Sequence, residues 1–166
     1  MLRKWRQRVF VNRSTQELIE QVVKMKIEIY TDGGSRGNPG PAATGVVIGD
    51  PFHKTYSSYI GERTNNEAEY EAALLALQKV KSLVGKKNTK QTEVVLFMDS
   101  QLAVMQLRGK YKIMGDTISP LFLKIHNLAI DFLSVEYVHI PREKNKKADA
   151  MVNKELDKRT GRGGLF

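Results

Sequence analysis

The sequence predicts an α/β protein built on a five-stranded mixed sheet that is flanked by helices. Strand-like segments joined by turns come first, a wholly apolar strand lies in the middle of the chain, and helices then alternate with strands. An early meander gives antiparallel neighbours, whereas strands separated by helices can pair in parallel. With 166 residues, of which 41% are hydrophobic, the chain is long enough for one domain of this kind.

A basic extension precedes the predicted sheet. Residues 1–26 contain seven Lys or Arg side chains against two Glu. Ser14 and Glu17 match a helix capping box, and a short apolar face follows them at Leu18, Ile19, Val22 and Val23. We therefore expect an extension with a short helix over residues 1–25, a main domain over 26–159 and a flexible tail over 160–166.

Alternating apolar and polar residues predict the first strands. The predicted segments are 27–31, 43–48 and 55–60. The first strand is expected to end at Asp32, because the glycines and prolines of residues 33–41 argue against regular structure there. A short turn at residues 49–51 separates the next two strands, so these early strands are expected to be antiparallel.

Helical periodicity begins near Asn66 and continues to about Leu83. The apolar run at residues 94–98 is typical of a strand covered on both faces, and Asp99 follows at its carboxyl end. The remaining predicted elements are helices over 101–107 and 119–130, a strand over 134–139 and a last helix over about 145–158.

The composition narrows the classes of function. Twenty-seven basic against 18 acidic residues give a net charge of +9, which favours a polyanionic partner. The absence of cysteine excludes disulfides, thiolate metal sites and a cysteine nucleophile. The longest apolar runs are only strand-sized and the basic start lacks an apolar signal segment, so we expect a cytoplasmic protein without a membrane span.

Four acidic residues stand where the predicted elements can bring them together. Asp32 and Asp99 end two predicted strands, while Glu69 and Asp149 lie in early turns of two predicted helices. Carboxylates gathered at one spot repel one another unless cations lie between them, and the cations suited to oxygen ligands are hard divalent metals. With the basic charge, this predicts a metal-dependent nuclease.

Local motifs around these acids, in this order and spacing, resemble those of type 1 ribonuclease H over about residues 26–156. The motifs are Tyr30-Thr31-Asp32-Gly33 with Gly37-Asn38-Pro39-Gly40, Thr64-Asn65-Asn66 with Glu69, Asp99-Ser100-Gln101, and His139-Ile140-Pro141-Arg142-Glu143-Lys144-Asn145 before Asp149. The resemblance implies the ribonuclease H-like fold and hydrolysis of the RNA strand of RNA/DNA hybrids, leaving 5′-phosphate and 3′-hydroxyl ends. It also implies two Mg²⁺ or Mn²⁺ ions held by Asp32, Glu69, Asp99 and Asp149.

Further roles rest on the same resemblance. The family spacing selects Glu69 over Glu67 as the metal ligand, and it assigns proton shuttling or product release to His139. Substrate contacts are implied at Asn38, Thr64, Asn65, Asn66 and Gln101. Turn formation and helix capping explain the asparagines equally well, and a strand-end histidine can simply bond to backbone.

The chain lacks the Trp- and Lys-rich basic protrusion of better-known family members, since only residues 108–118 separate Leu107 from Ser119. Lys110 and Lys112 are expected to supply part of the missing grip on the duplex. The expected partner is an RNA/DNA hybrid bound by a monomer. The alternatives are another nuclease of the same fold, acting on double-stranded RNA or DNA, and a non-catalytic hybrid-binding module.

Overall fold

The computed structural model describes residues 25–159. The expected helix beginning near Ser14 and the expected tail at residues 160–166, with Leu165 and Phe166, lie outside the described residues. Within the described part, none of the helices is both long and apolar enough to cross a membrane.

One mixed sheet organises the described residues. Its strands are β1 (Met25–Ser35), β2 (Gly40–Ile48), β3 (Lys54–Arg63), β4 (Thr92–Met98) and β5 (Ser134–His139). The order across the sheet is β3-β2-β1-β4-β5, with antiparallel pairing among β1, β2 and β3 and parallel pairing of β1 with β4 and of β4 with β5. The predicted five-stranded mixed sheet is therefore confirmed.

Five helices flank this sheet within residues 25–159. They are α1 (Asn65–Val84), α2 (Lys86–Thr89), α3 (Gln101–Leu107), α4 (Ile118–Ala129) and α5 (Lys146–Arg159), with a single 3₁₀ turn at Arg142–Lys144. The four-residue α2 and the 3₁₀ turn were not predicted, because they are too short to show helical periodicity.

The sheet is covered on both faces. The main core lies against α1 and α4, where the apolar side chains of the central strands, such as Ile29 and Leu96, are fully buried with Leu77 and Ile125. On the opposite face, α5 packs a smaller apolar cluster through Val152 and Leu156 against Ala43. In β4 the apolar run Val94–Met98 fits this central position, since Val94, Val95, Leu96 and Met98 are all buried.

The prediction that β1 ends at Asp32 was wrong. The strand continues through Gly33 and Gly34 to Ser35, which pair with Thr44, Ala43 and Ala42 of β2. The irregular turn is limited to the residues between Ser35 and Gly40. Asp32 therefore lies inside β1, one residue beyond the last parallel pair with β4, which is Thr31 with Met98.

The close approach of α1 explains why a glycine, Gly33, occupies the interior of this strand. A Cβ atom at position 33 would overlap the backbone of Ala68 and Glu69 in the first turns of α1. Only a residue without a side chain allows the start of α1 to approach β1 this closely. The glycine that suggested a turn thus serves to bring α1 against the strand next to Asp32.

We expect Gly33→Ala to lower the free energy of unfolding by about 3 kcal/mol, at the upper end of the usual cost of overpacking, because the new methyl group meets backbone that cannot rotate away. Urea denaturation measures the change. Gly34→Ala is the matched control, since its new Cβ would lie 3.1 Å from a methyl group of the Val152 side chain, which can adjust. Equal losses in the two variants would contradict this account.

Candidate active site

Three carboxylates meet at one edge of the sheet. Asp32, Glu69 and Asp99 each offer an oxygen atom, and these three atoms lie within 4.8 Å of one another. Asp32 and Glu69 are only 7% and 8% exposed, and Asp99 is partly buried. The predicted convergence of these three acids is therefore present in the structure.

The parallel pairing of β1 with β4 accounts for two of these positions. Asp32 follows the last residue of β1 that pairs with β4, and Asp99 follows the last residue of β4. Both acids consequently leave the sheet at the same edge. This is the carboxyl end of two parallel strands, where open α/β sheets usually carry their sites.

The start of α1 fixes the third position. Thr64 caps the helix by accepting a hydrogen bond from the backbone N–H of Glu67 at 3.2 Å, and the Glu67 carboxylate accepts from the backbone N–H of Thr64 at 2.7 Å. This capping box uses Glu67 and lowers its pKa, chiefly through the Thr64 backbone hydrogen bond. Glu69, two residues further along, turns inward to the cluster, as the family spacing predicts.

Burial makes ionisation of two of these acids, Asp32 and Glu69, unfavourable. It raises the pKa of Asp32 to about 7, with the charges of Asp99 and Asp149 adding to the rise and that of Arg142 opposing it. Burial, followed by the charges of Asp32 and Asp99, also raises the pKa of Glu69 well above its ordinary range. The Oε2 atom of Glu69 is buried without a hydrogen-bond partner among the described residues. Buried, clustered carboxylate oxygens of this kind fit a hard divalent cation.

The fourth predicted ligand, Asp149, lines the same cavity but lies outside the tight group of three. Its Oδ1 atom accepts a hydrogen bond from the Arg142 guanidinium at 2.7 Å, and its Oδ2 atom accepts one from the Asn153 amide at 3.0 Å. The Arg142 side chain is 78% exposed, against 27% for that of Asp149. An accessible cation therefore neutralises the carboxylate that stands apart.

His139 is not brought to the cavity. It is exposed at the end of β5, in register with Met98 of β4, and does not line the space around the acids. The chain then passes over the sheet edge, where the Ile140 backbone N–H bonds to the Met98 carbonyl at 2.9 Å. Of the charged residues in the motif that begins at His139, it is Arg142 that reaches the cavity.

The cavity around the acids has a volume of about 590 Å³, and two of the predicted substrate residues line it. Asn65 accepts a hydrogen bond from the Ser35 backbone N–H at 2.9 Å, so it also supports the end of β1. The Oδ1 atom of Asn66 is buried without a partner among the described residues. Asn38, outside the cavity lining, accepts from the backbone N–H of Asn65 at 3.0 Å and holds it in place.

The other predicted substrate residues lie beyond the cavity. Thr64 is the cap of α1, and Gln101 is an exposed residue at the first position of α3. Lys110 and Lys112 are exposed in the loop of residues 108–117.

A buried hydrogen-bond chain connects this loop to α1. Tyr70 donates to Gln106 at 2.9 Å, and the Gln106 amide donates to the Lys112 carbonyl at 2.9 Å. This series of hydrogen bonds starts at Tyr70, one residue from Glu69, so the loop is fixed to the helix that carries this acid.

Two residues near the acids were not assigned roles by the sequence. Asn145 is buried and donates to the Thr31 carbonyl at 2.8 Å, which ties the loop after β5 to β1 beside Asp32. Arg142 belongs to a charged run that has the appearance of a solvated surface. Two features of the sequence pointed to Arg142. It belongs to the motif that begins at His139, and it precedes Asp149 by seven residues. Seven residues correspond to two helical turns, but only if the whole segment is helical.

The chain is similar in sequence and in structure to known proteins. A family model described as reverse transcriptase-like matches residues 30–155. The structure of LC11-RNase H1 in complex with an RNA/DNA hybrid superposes with a TM-score of 0.75 at 46% identity, covering 81% of this chain and 99% of that one. Ribonuclease HI of Halobacterium salinarum is 35% identical over 135 residues, which is 80% of this chain and 65% of that protein.

The bifunctional protein Rv2228c of Mycobacterium tuberculosis is 36% identical over 137 residues, covering 80% of this chain. The aligned region makes up 36% of Rv2228c. The chain thus spans about a third of the length of this curated relative.

We expect Asp32→Asn to stabilise the metal-free protein at pH 8 but not at pH 4. Wild-type Asp32 keeps its proton up to about pH 7 in the folded state, whereas in the unfolded chain it ionises near pH 4. Folding therefore retains a proton between these values, and wild-type stability falls as the pH rises through them. Asparagine removes this loss, which is on the order of a few kcal/mol.

Thermal unfolding in excess chelator, followed between pH 4 and pH 8, measures the difference. Asp116→Asn is the control, because Asp116 is an exposed acid in the loop outside the cluster. A stabilisation by Asp32→Asn that is the same at both pH values would show that ionisation of Asp32 is not its cause.

Proposed function

The chain belongs to the type 1 ribonuclease H family, and we propose that it hydrolyses the RNA strand of RNA/DNA hybrids, leaving 5′-phosphate and 3′-hydroxyl ends. The observation that carries this proposal is the meeting of three carboxylates, two of them buried, within 4.8 Å where the parallel pairing of β1 with β4 ends and α1 begins. A module that only bound phosphates would gain from losing these charges. Their retention favours the enzyme over the non-catalytic binding module.

Divalent metal ions complete the site in this proposal. Asp32, Glu69, Asp99 and Asp149 would hold two Mg²⁺ or Mn²⁺ ions, and such ions, when bound, activate a water molecule and stabilise the leaving oxygen of a phosphodiester. The donor set fits, because it consists of carboxylate oxygens alone and includes the unpaired buried Oε2 atom of Glu69. No protein nucleophile is required.

The side chains of this protein would then hold and orient the substrate. Asp32, Glu69 and Asp99 are fixed before metal or substrate binds, because β1, β4 and the capped start of α1 determine their positions. Asp149 must leave Arg142 to act as a ligand. We propose that the exposed guanidinium of Arg142, once released, contacts a phosphate of the RNA strand.

Recognition of the hybrid is proposed for the polar rim of the cavity and the neighbouring loop. An A-form-like duplex presents 2′-hydroxyl groups in a wide, shallow minor groove, and Asn66, which lines the cavity, is proposed to contact them. Asn65, supported by Asn38, lines the same rim. Thr64, Gln101, Lys110 and Lys112 are proposed to contact the duplex beyond the cavity, the two lysines through phosphates.

Residues 26–159 are proposed as the catalytic domain, with residues 1–25 and 160–166 as extensions. We propose that it works as a cytoplasmic monomer, since its substrate contains DNA and the acids of one chain suffice for the site. The proposed proton-transfer or product-release role of His139 stays a prediction.

We expect cleavage of a labelled RNA/DNA hybrid in Mg²⁺ or Mn²⁺, no cleavage in excess chelator, and loss of at least about 10³-fold in turnover for Asp32→Asn, in line with the loss of a principal charge-stabilising group. Product ends are identified by their susceptibility to phosphatase and polymerase. Double-stranded RNA and double-stranded DNA of the same sequence serve as controls. Preferential cleavage of either control would favour the alternative nuclease, and full cleavage in chelator would exclude the metal mechanism.

We expect Glu69→Gln to abolish hybrid cleavage while Glu67→Gln retains it. Glu67→Gln is a matched control on the same helix, because it alters the capping box and should lower the free energy of unfolding by about 1 kcal/mol or less. Initial rates with hybrid and urea denaturation measure the two effects. Loss of activity at Glu67 with retention at Glu69 would reverse the assignment.

We expect Arg142→Ala to lower kcat/KM about tenfold or more, because it removes a charged contact to phosphate. Lys146→Ala is the control for the general loss of positive charge. An unchanged kcat/KM in Arg142→Ala would remove Arg142 from the mechanism.

His139→Ala is expected to lower turnover severalfold and to leave metal binding, measured by calorimetry, intact. An unchanged turnover would remove His139 from the mechanism.

A further inference from the structure

An apolar groove lies on the side of the domain remote from the acids. It has a volume of about 420 Å³ and is lined by α4, the end of α3, the turn after α4 and β5. Most of its lining is apolar, and it includes Phe122, Ala129, Ile130, Phe132, Leu133 and Val135. We refer to it as the α4–β5 groove.

Two of the lining side chains are unusually open. Ile130 is 68% exposed and Leu133 is 44% exposed. Both lie in the turn that leads into β5, which is an edge strand of the sheet. A cluster of exposed aliphatic side chains along an apolar groove indicates a surface that another segment covers.

The described chain begins next to this groove. The Met25 backbone N–H bonds to the Gln91 carbonyl at 3.2 Å, and Met25 pairs with Thr92 at the start of β4. The Thr92 carbonyl in turn accepts from the Leu133 backbone N–H at 3.0 Å. Met25 is therefore only two strand spacings, or about 10 Å, from Leu133.

The segment just before Met25 has the matching chemistry. Residues 14–23 are predicted to form a short capped helix whose apolar side is Leu18, Ile19, Val22 and Val23. Val23 precedes Met25 by two residues, a reach of about 7 Å. No long linker is needed to bring this apolar side to the groove.

We propose that residues 14–23 dock in the α4–β5 groove of the same chain, with Leu18, Ile19, Val22 and Val23 covering Ile130 and Leu133. The occupant is thus an intramolecular helix, held by apolar contacts. It extends the core of the domain beyond the start of β1.

The other terminal segment is less well placed. Residues 160–166 follow Arg159, whose guanidinium lies 4.7 Å from the ring centre of Tyr59 on β3. β3 is the opposite edge of the sheet, four strand spacings or about 19 Å from β5. In addition, α5 covers the other face of the sheet from the one packed against α4.

Docking at this place keeps residues 14–23 away from the acids. Ser134 and Val135 of the groove lie at the amino end of β5, in register with the start of β4, whereas the acids follow the last parallel pair of β1 with β4, and the seven residues of β4 span about 23 Å. The segment would accordingly stabilise the domain without entering the site.

Engineered disulfides test the docking directly, since the full chain has no cysteine of its own. Val22→Cys and, separately, Ile19→Cys are combined with Leu133→Cys, and oxidation by oxidised glutathione is followed at low protein concentration. Gln21→Cys with Leu133→Cys is the matched control, because position 21 falls on the opposite side of the predicted helix. We expect the intramolecular bond in at least one apolar-side pair to form about tenfold faster or more than in the control, through its higher effective concentration.

If neither apolar-side pair forms its intramolecular disulfide faster than the control pair does, the proposal is overturned. Disulfides that form only between chains, detected by mixing differently tagged copies, would assign the groove to a second copy instead. They would overturn intramolecular docking as well.

A double-mutant cycle in the full chain provides an independent measurement. Val22→Asp and Ile130→Asp are each expected to lower the melting temperature by a few degrees, and the double variant by no more than the larger single effect, because both break the same contact. Leu123→Asp is the control, since Leu123 is 56% exposed on α4 and does not line the groove. Additive effects of Val22→Asp and Ile130→Asp, or no effect of Val22→Asp, would overturn the proposal.

Discussion

The gathering of carboxylates at a largely buried place is the constraint on which this structure depends. Asp32, Glu69 and Asp99 each place an oxygen atom within 4.8 Å of the others, and burial, followed by the neighbouring negative charges, opposes the ionisation of Asp32 and Glu69. A fold would not maintain such an arrangement for its own stability. The surrounding β1, β4 and α1 must therefore be stable enough to hold the acids together until cations bind, and the large apolar core on one face of the sheet provides that stability.

Each acid is held by a local device that can be named. Parallel pairing ends at Thr31 and Met98, and so sets Asp32 and Asp99 side by side. Gly33 lets the first turns of α1 touch β1, and the Thr64–Glu67 capping box determines where that helix begins. Asn145 bonds to the Thr31 carbonyl and positions the start of α5, from which Asp149 projects. The proposed chemistry rests on the acids, while glycine, threonine and asparagine set their geometry.

Much of this arrangement could be predicted from the sequence, because periodicity and the order of motifs are local properties. They gave the sheet, the main helices and the convergence of three acids, and the family spacing distinguished Glu69 from Glu67. The end of β1 was predicted wrongly, because a glycine in the sequence can indicate either a turn or close backbone packing. The contact with α1, 35 residues further along the chain, decides between these two possibilities. The Arg142–Asp149 pair was also out of reach, since it depends on how an exposed turn folds back over the sheet edge. The sequence favoured His139 by its place in the motif, whereas β5 is the edge strand beyond β4 and His139 does not line the cavity.

The hydrogen bonds from Tyr70 through Gln106 to the Lys112 carbonyl have a mechanical consequence. Tyr70 is fully buried and Gln106 is 5% exposed, and breaking either bond would leave a polar group without a partner in the interior, at a cost of about 1–3 kcal/mol. Loop 108–117 is consequently anchored to α1 at its Lys112 backbone. A movement of α1 that carried Tyr70 along would pull on this anchor, so the position of the loop and that of Glu69 are mechanically coupled.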